Sequence, residues 1–280
     1  MNEPARQPAS REHGVERLAE IARDLRRDVI RLVAATGQGY VQQGLGAADL
    51  FATLYFAELR LDTADMDWED RDRFILSTAH NTAVFYATLA ARGLVSADAV
   101  ANYCQDGSAF EINASERVGA CVEATCGSLG QGLSVGIGMA LSARRRSSTR
   151  RVYVLLGDGE LQEGQVWEAA MMAATQKLEN LCLIVDLNRM QVEGDVADVA
   201  AIDPVGDKWR AFGWSVQEVD GNDVTALLGA FEQARSVRNR PSCIIANTLV
   251  GRGVPELEGI MAHNLRLPPD VAAAALAALD

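Results

Sequence analysis

The sequence predicts an α/β fold with three α/β/α layers around a mostly parallel sheet. Short, continuously apolar segments alternate with longer segments in which apolar residues recur every three or four positions. The first pattern is typical of strands buried on both faces, and the second of amphipathic helices. Strands joined through helices in this way favour a parallel sheet covered on both sides, with ligands beyond the carboxyl ends of the strands.

The elements follow from these two patterns in chain order. The spacing of Leu18, Ile21, Leu25, Val29 and Leu32 predicts a first helix over residues 15–35. A second helix is predicted over residues 47–58. The predicted strands are 73–77, 151–156, 181–185, 214–219 and 243–248. The remaining predicted helices are 82–92, 133–145, 161–176, 207–212 and 224–237.

Composition excludes several classes of protein. Lys and Arg number 26 against 38 Asp and Glu, so the net charge is −12 and neither a nucleic acid nor an anionic membrane surface is an expected partner. No apolar run reaches the roughly 20 residues that a membrane-spanning helix needs. The five cysteines include no C-x-x-C pair, which favours reduced thiols in the cytoplasm. Residues 1–13 are expected to form a disordered tail, and 14–280 a single domain.

Two polar residues follow neighbouring strands of the predicted sheet. Asp158 lies in a Gly-Asp-Gly turn after the strand 151–156, and Asn188 follows the next strand. Since one β-α-β unit separates them, their side chains should stand side by side. With the backbone carbonyl of Met190 they offer the oxygen donors that Mg²⁺ or Ca²⁺ accepts, and a diphosphate fits beside such an ion. The alternative is a plain turn and a helix cap.

The same edge of the sheet should carry a glycine-rich run and two histidines. Residues 125–132 contain three glycines before a helical pattern, which indicates either ligand contact or close helix packing. His80 follows the strand 73–77, and His263 lies in a loop after the last strand. Each could be a structural residue or part of the site, whereas His13 lies in the predicted tail.

Beyond these local patterns, the sequence resembles the transketolases. Gly157-Asp-Gly-Glu-Leu-Gln-Glu-Gly-Gln-Val-Trp-Glu-Ala169 and Asp186-Leu-Asn-Arg-Met-Gln-Val-Glu-Gly194 resemble their thiamine-diphosphate motif. Val122-Glu-Ala-Thr-Cys-Gly-Ser-Leu-Gly-Gln-Gly-Leu133 is similar to their glycine loop, and Leu76-Ser-Thr-Ala-His80 to their Leu-Ser-x-Gly-His segment. The similarity extends from Leu18 to His263.

The resemblance implies a thiamine-diphosphate-binding domain and assigns roles to single residues. Asp158, Asn188 and the Met190 carbonyl would hold Mg²⁺ (or Ca²⁺). Gly159, His80 and His263 would contact the diphosphate or the reacting carbons. Asn188 would contact both the metal ion and the cofactor. Gly127 and Leu129 would flank the pyrimidine ring, and Glu163 would lie at a subunit interface.

The resemblance also implies a partner. Single-chain transketolases are more than twice as long, and a second, pyrimidine-binding domain carries the glutamate that activates the cofactor. This chain is therefore expected to be the N-terminal subunit of a split transketolase, inactive alone, which transfers a two-carbon ketol unit in a heterotetramer with two copies of each subunit. The donor would be a ketose.

Two positions depart from the family pattern. Tyr40 and Asn113 align with histidines that face the sugar in transketolases, and neither can carry a positive charge. We therefore expect catalytic positions at His80, His263, Tyr40 and Asn113, and a donor or acceptor other than the standard pentose phosphates; neutral drift is the alternative. A 1-deoxyxylulose-phosphate synthase-like half, an oxoacid decarboxylase-like half and a non-catalytic subunit are the competing functions.

Overall fold

Seven strands are present in residues 13–280, the part of the chain that the computed structural model describes. They are β1 (Arg73–Leu76), β2 (Val152–Gly157), β3 (Leu181–Leu187), β4 (Met190–Gln191), β5 (Gly194–Asp195), β6 (Ser215–Asp220) and β7 (Ser242–Asn247). Five of them form one sheet in the order β1-β2-β3-β7-β6, and every neighbouring pair is parallel. The predicted parallel sheet is confirmed, although all but His13 of the predicted tail lies outside the described residues.

The helices cover both faces of this sheet. They are α1 (Val15–Thr36), α2 (Val41–Thr53), α3 (Thr82–Ala91), α4 (Ala97–Val100), α5 (Gln131–Arg145), α6 (Gly164–Thr175), α7 (Val196–Ala200), α8 (Val205–Ala211), α9 (Val224–Ser236) and α10 (Pro269–Ala278). Within β2, Tyr153 packs into a core cluster with α1, α2, α3 and α9, while Val154 packs into a second cluster with α5, α6 and α8. Because side chains alternate along a strand, the sheet separates two cores, and the predicted three layers are confirmed.

Several predicted boundaries were wrong, and some elements were missed. α2 begins at Val41 rather than at residue 47, because polar Gln42 and Gln43 are buried there and hide the helical period. The helix predicted from residue 161 begins at Gly164, after a separate 3₁₀ turn over Asp158–Gln162. The missed elements are α4, α7, the β4–β5 hairpin and the alanine-rich α10. Within residues 13–280, none of the helices combines the length and the apolar character needed to cross a bilayer.

Candidate active site

A cavity of about 160 Å³ lies at the carboxyl ends of β1, β2 and β3. Seven of the predicted site residues line it: His80, Leu129, Asp158, Gly159, Glu163, Asn188 and Met190. Seven further residues line the cavity and were not predicted as site residues: Gln43, Thr78, Gly157, Glu160, Gln162, Gln191 and Val192. The other predicted residues lie next to this cavity or to its lining, in two groups described below.

Asp158 is the buried carboxylate of the cavity, with only 1% of the residue exposed. Its oxygens accept hydrogen bonds from the backbone N–H groups of Gly159 (2.9 Å) and Arg189 (2.6 Å). Among the described residues no cationic side chain forms an ion pair with it, and the Arg189 guanidinium contacts Asp203 instead. Burial, with the charge of Asp186 as a second cause, raises the pKa of Asp158 to about 7. Within residues 13–280 this carboxylate therefore has no ion-pair partner, and the charge of Arg189 only partly offsets the effect of burial on its pKa.

Asn188 lies beside Asp158, since β2 and β3 are neighbours in the sheet. Its Oδ1 accepts a hydrogen bond from the Met190 N–H at 2.9 Å, and its Nδ2 donates to Asp186 at 3.2 Å. A carbonyl oxygen has two lone pairs, so Oδ1 retains one for another partner. The predicted juxtaposition of these two side chains at adjacent strand ends is confirmed.

Asp158, Asn188 and Met190 form one corner of the cavity, which we call the cation corner, and their donor atoms fit a hard divalent cation. One carboxylate, one amide oxygen and one backbone carbonyl are ligands that Mg²⁺ and Ca²⁺ prefer. The described residues contain no cluster of three or more His, Cys, Asp or Glu side chains that could hold a metal. An ion held by Asp158, Asn188 and Met190 would therefore need water or phosphate oxygens to complete its coordination.

Glu160 joins three segments around the cavity. Its carboxylate accepts hydrogen bonds from the backbone N–H groups of Gly157 (2.9 Å) and Gly130 (2.8 Å), and from the Ser77 hydroxyl (2.7 Å). The Gly-Asp-Gly turn, the glycine-rich run and the end of β1 are thereby tied together. A glutamate three residues after Gly157 is a capping signal in the sequence, but its long-range partners carry no such signal.

The glycine-rich run passes between the cavity and Asn113. Gly127 has a φ of +113°, and a Cβ there would lie 2.7 Å from Asn113 Nδ2. A side chain at Gly132 would meet Ser77 Cβ at 2.4 Å, so close packing explains that glycine. Leu129 is 37% exposed and projects at the cavity wall. The structure thus brings the predicted residues Gly127 and Asn113 into contact.

Three predicted residues form an aromatic cluster, which we call the ring cluster: Tyr40, His80 and His263. Their ring centroids lie 4.7 Å (Tyr40–His80), 5.1 Å (Tyr40–His263) and 4.5 Å (His80–His263) apart, all in edge-to-face contact. His80 also lines the cavity, so the cluster adjoins it. Gln42 fixes the loop before His263, because its Nε2 donates to the carbonyls of Leu257 (3.2 Å) and Ile260 (2.9 Å).

The ring cluster is neutral near pH 7. Burial, followed by the nearby His263, lowers the pKa of His80 to about 4 from 6.5, and burial also lowers the pKa of His263. Burial raises the pKa of the Tyr40 hydroxyl. Both ring nitrogens of His263 are buried without a hydrogen-bond partner among the described residues. The cluster therefore presents neutral donors and acceptors that a bound polar group could satisfy.

A known protein family matches most of the chain. The family described as "Transketolase, thiamine diphosphate binding domain" matches residues 16–274. The chain belongs to the transketolase family. Its similarity to transketolases extends to the fold: the transketolase of Campylobacter jejuni superposes with a TM-score of 0.88 at 30% identity, covering 95% of this chain and 43% of that one.

Shorter transketolase relatives match along nearly their whole length. A transketolase family protein of Sinorhizobium fredii is 42% identical over 265 residues, which is 94% of this chain and 95% of the relative. The 6-deoxy-6-sulfo-D-fructose transketolase subunit SqwG of a Clostridium species is 35% identical, covering 91% of this chain and 94% of that relative. One of the subunits of the apulose-4-phosphate transketolase of Actinobacillus succinogenes is 36% identical, with coverages of 87% and 88%.

Proposed function

We propose that this chain is the cofactor-binding subunit of a two-component transketolase, a transferase that moves a two-carbon ketol unit from a ketose donor to an acceptor. Residues 14–280 form its thiamine-diphosphate domain. The observation that carries the proposal is the juxtaposition of Asp158 and Asn188 at adjacent strand ends, with the buried Asp158 carboxylate in no ion pair among the described residues. Family membership and the relatives named as transketolase subunits support it.

The cation corner holds the diphosphate end of the cofactor. Asp158, Asn188 and the Met190 carbonyl bind Mg²⁺ or Ca²⁺, and Gly159 lets the backbone approach the diphosphate. Thiamine diphosphate, when bound, supplies the carbanion that cleaves and forms the carbon–carbon bond. Gly127 and Leu129 would flank its pyrimidine, and the Glu160 carboxylate holds the glycine-rich run that carries them beside the Gly-Asp-Gly turn.

The ring cluster handles the sugar. His80 and His263 contact the diphosphate or the reacting carbons as neutral imidazoles, so each can donate one hydrogen bond and accept another. Tyr40 adds a hydroxyl on the same side, and Asn113 an amide beside Gly127. These groups orient hydroxyls of the donor and acceptor, and the two imidazoles can exchange protons with them.

Replacement of family histidines by Tyr40 and Asn113 supports a substrate pair other than xylulose 5-phosphate and ribose 5-phosphate. Neither side chain becomes a cation near neutral pH, so the charge offered to a sugar differs. The names of two relatives refer to a sulfo-fructose and to apulose 4-phosphate, and this is consistent with diverse sugars among similar subunits.

A partner subunit with a pyrimidine-binding domain completes the site. Exposed side chains beside the cavity include Glu163, Leu129 and Val192, the last 61% exposed. Val135 on α5 and Met171 on α6 are exposed apolar side chains of the two helices that follow the glycine-rich run and the Gly-Asp-Gly turn. Apolar side chains beside a polar cavity are typical of a surface that another protein covers. We infer a heterotetramer with two copies of each subunit and Glu163 at the interface.

The test is reconstitution with the product of a neighbouring reading frame of similar length. We expect no ketol transfer by the purified chain, and transfer by the complex in the presence of thiamine diphosphate and Mg²⁺. Transfer between xylulose 5-phosphate and ribose 5-phosphate should be slow compared with a matched non-standard pair. Turnover by the chain alone contradicts the two-component proposal. Consumption of pyruvate by the complex would support the synthase-like or decarboxylase-like alternative instead.

A further inference from the structure

Asp186 is a second buried carboxylate beside the cation corner. It lies in β3, and only 1% of the residue is exposed. Its Oδ2 accepts hydrogen bonds from Asn81 Nδ2 (2.9 Å) and Asn188 Nδ2 (3.2 Å), and its Oδ1 accepts one from the Thr248 hydroxyl. The turn after β1, the end of β3 and the end of β7 therefore meet at this one side chain.

None of the groups that donate to Asp186 is charged. Among the described residues no Lys, Arg or His forms a salt bridge with it, although it is almost completely buried. Asp186 is also paired in register with Gly157, the residue before Asp158. Two buried carboxylates thus lie at neighbouring positions of adjacent strands, and burying charge without a counter-charge is costly.

We propose that Asp186 is a positioning residue for the divalent cation, acting through Asn188 and through its own charge. By accepting from Asn188 Nδ2, it fixes the amide so that Oδ1 faces the Met190 N–H and the cation corner. Its negative charge adds to that of Asp158 and strengthens the attraction for a cation that it does not touch. This inference rests on the proposed function.

The network allows charge and hydrogen bonding to be separated. In Asp186→Asn, the amide oxygen can still accept from Asn81 and Asn188. The new NH₂ group can donate to Thr248, because a hydroxyl accepts as well as donates. All three hydrogen bonds survive and the charge is lost. Thr248→Val is the matched control, since it removes one hydrogen bond and keeps the charge.

Two measurements on the full chain distinguish these variants. Without metal, the thermal midpoint of Asp186→Asn should equal or exceed that of the unaltered chain, whereas Thr248→Val should lower it. With the partner and thiamine diphosphate, the Mg²⁺ concentration for half-maximal cofactor binding should rise at least about tenfold in Asp186→Asn. Thr248→Val should change that concentration less than about threefold.

The outcomes separate this inference from the proposed function. If the unaltered complex binds thiamine diphosphate without any need for Mg²⁺, the proposed function is contradicted and this inference with it. If the binding requires Mg²⁺ and Asp186→Asn leaves the requirement unchanged, only the inference is overturned. Two further outcomes would assign Asp186 a purely structural role and overturn the inference. One is a lower metal-free thermal midpoint in Asp186→Asn, and the other is an equal rise, in both variants, of the Mg²⁺ concentration for half-maximal cofactor binding.

Discussion

The cation corner and the ring cluster adjoin one cavity but are built differently. At the corner, both Asp158 oxygens and Asn188 Oδ1 accept hydrogen bonds from backbone N–H groups. In the ring cluster, edge-to-face contacts and the Thr78 hydroxyl, 3.4 Å from His80 Nδ1, hold the rings, and both nitrogens of His263 lack partners among residues 13–280. The backbone thus fixes the geometry of the corner before any ligand binds, whereas the cluster keeps hydrogen-bonding capacity in reserve. Substitutions at the corner should alter cofactor binding, and substitutions in the cluster substrate handling.

The largest effect is expected at the corner. Asp158→Asn removes the carboxylate charge and turns an NH₂ group toward one of two backbone donors, so the proposed cation would lose the one carboxylate among its proposed ligands. We expect Mg²⁺-dependent binding of thiamine diphosphate to weaken at least about 100-fold, measured by calorimetry on the complex. Asp198→Asn, which alters an exposed carboxylate on α7, serves as control and should bind as the unaltered chain does. Undiminished binding in Asp158→Asn would place the cation elsewhere.

A second prediction concerns the glycine-rich run. Gly127→Ala forces a side chain into a left-handed backbone conformation and against Asn113, and should lower the free energy of unfolding by about 1–3 kcal/mol. Gly138 lies in α5 with open space around its Cβ position, so Gly138→Ala should instead raise it by about 0.5–1 kcal/mol. Urea denaturation of the isolated chain checks both. Equal effects of the two substitutions would mean that Gly127 is not sterically required.

A third prediction uses the pKa of His80. Because the folded chain lowers this pKa to about 4 from 6.5, the unfolded chain binds the proton more readily between these values. Stability is therefore lost as pH falls from 6.5 toward 4, and His80 should contribute a loss of about 2 kcal/mol between pH 7 and pH 5. Denaturation of the unaltered chain and of His80→Gln at both pH values measures the difference. A loss of the same size in the variant would contradict it.

The smallest effect on binding is expected at Tyr40. Tyr40→Phe keeps the ring contacts with His80 and His263 but removes the hydroxyl. Cofactor affinity should be unchanged, while kcat/KM for the sugar donor falls about tenfold, as expected for one lost hydrogen bond. Tyr40→His should improve the use of xylulose 5-phosphate relative to the unaltered complex. If Tyr40→Phe instead weakens cofactor binding, the division between corner and cluster fails.

The two regions also differ in how far the sequence predicts them. Strand ends are readable from apolar runs, so Asp158 and Asn188 could be placed side by side. Glu160 and Asp186 were missed as site residues because their partners come from distant segments, such as Gly130 for the first and Thr248 for the second. No local pattern encodes such a meeting of loops.

Contacts within the ring cluster depend on long-range packing in the same way. His80 and His263 were both expected at the ligand edge, but the contact of His263 with Tyr40 depends on Gln42, which anchors the loop over residues 257–260. Gln42 belongs to the part of α2 that the sequence analysis left out of the helix. Because these polar glutamines are buried, neither the start of α2 nor the hydrogen bonds that place His263 could be predicted from the apolar pattern of the sequence.

The carboxylate of Glu160 also holds one part of the site independently of another. It braces the turn at Gly157 against the loop at Gly130 and the strand end at Ser77, and none of these three hydrogen bonds involves Tyr40. Exchange of Tyr40, and with it of the sugar proposed to bind there, would then leave the three segments around the cavity in alignment.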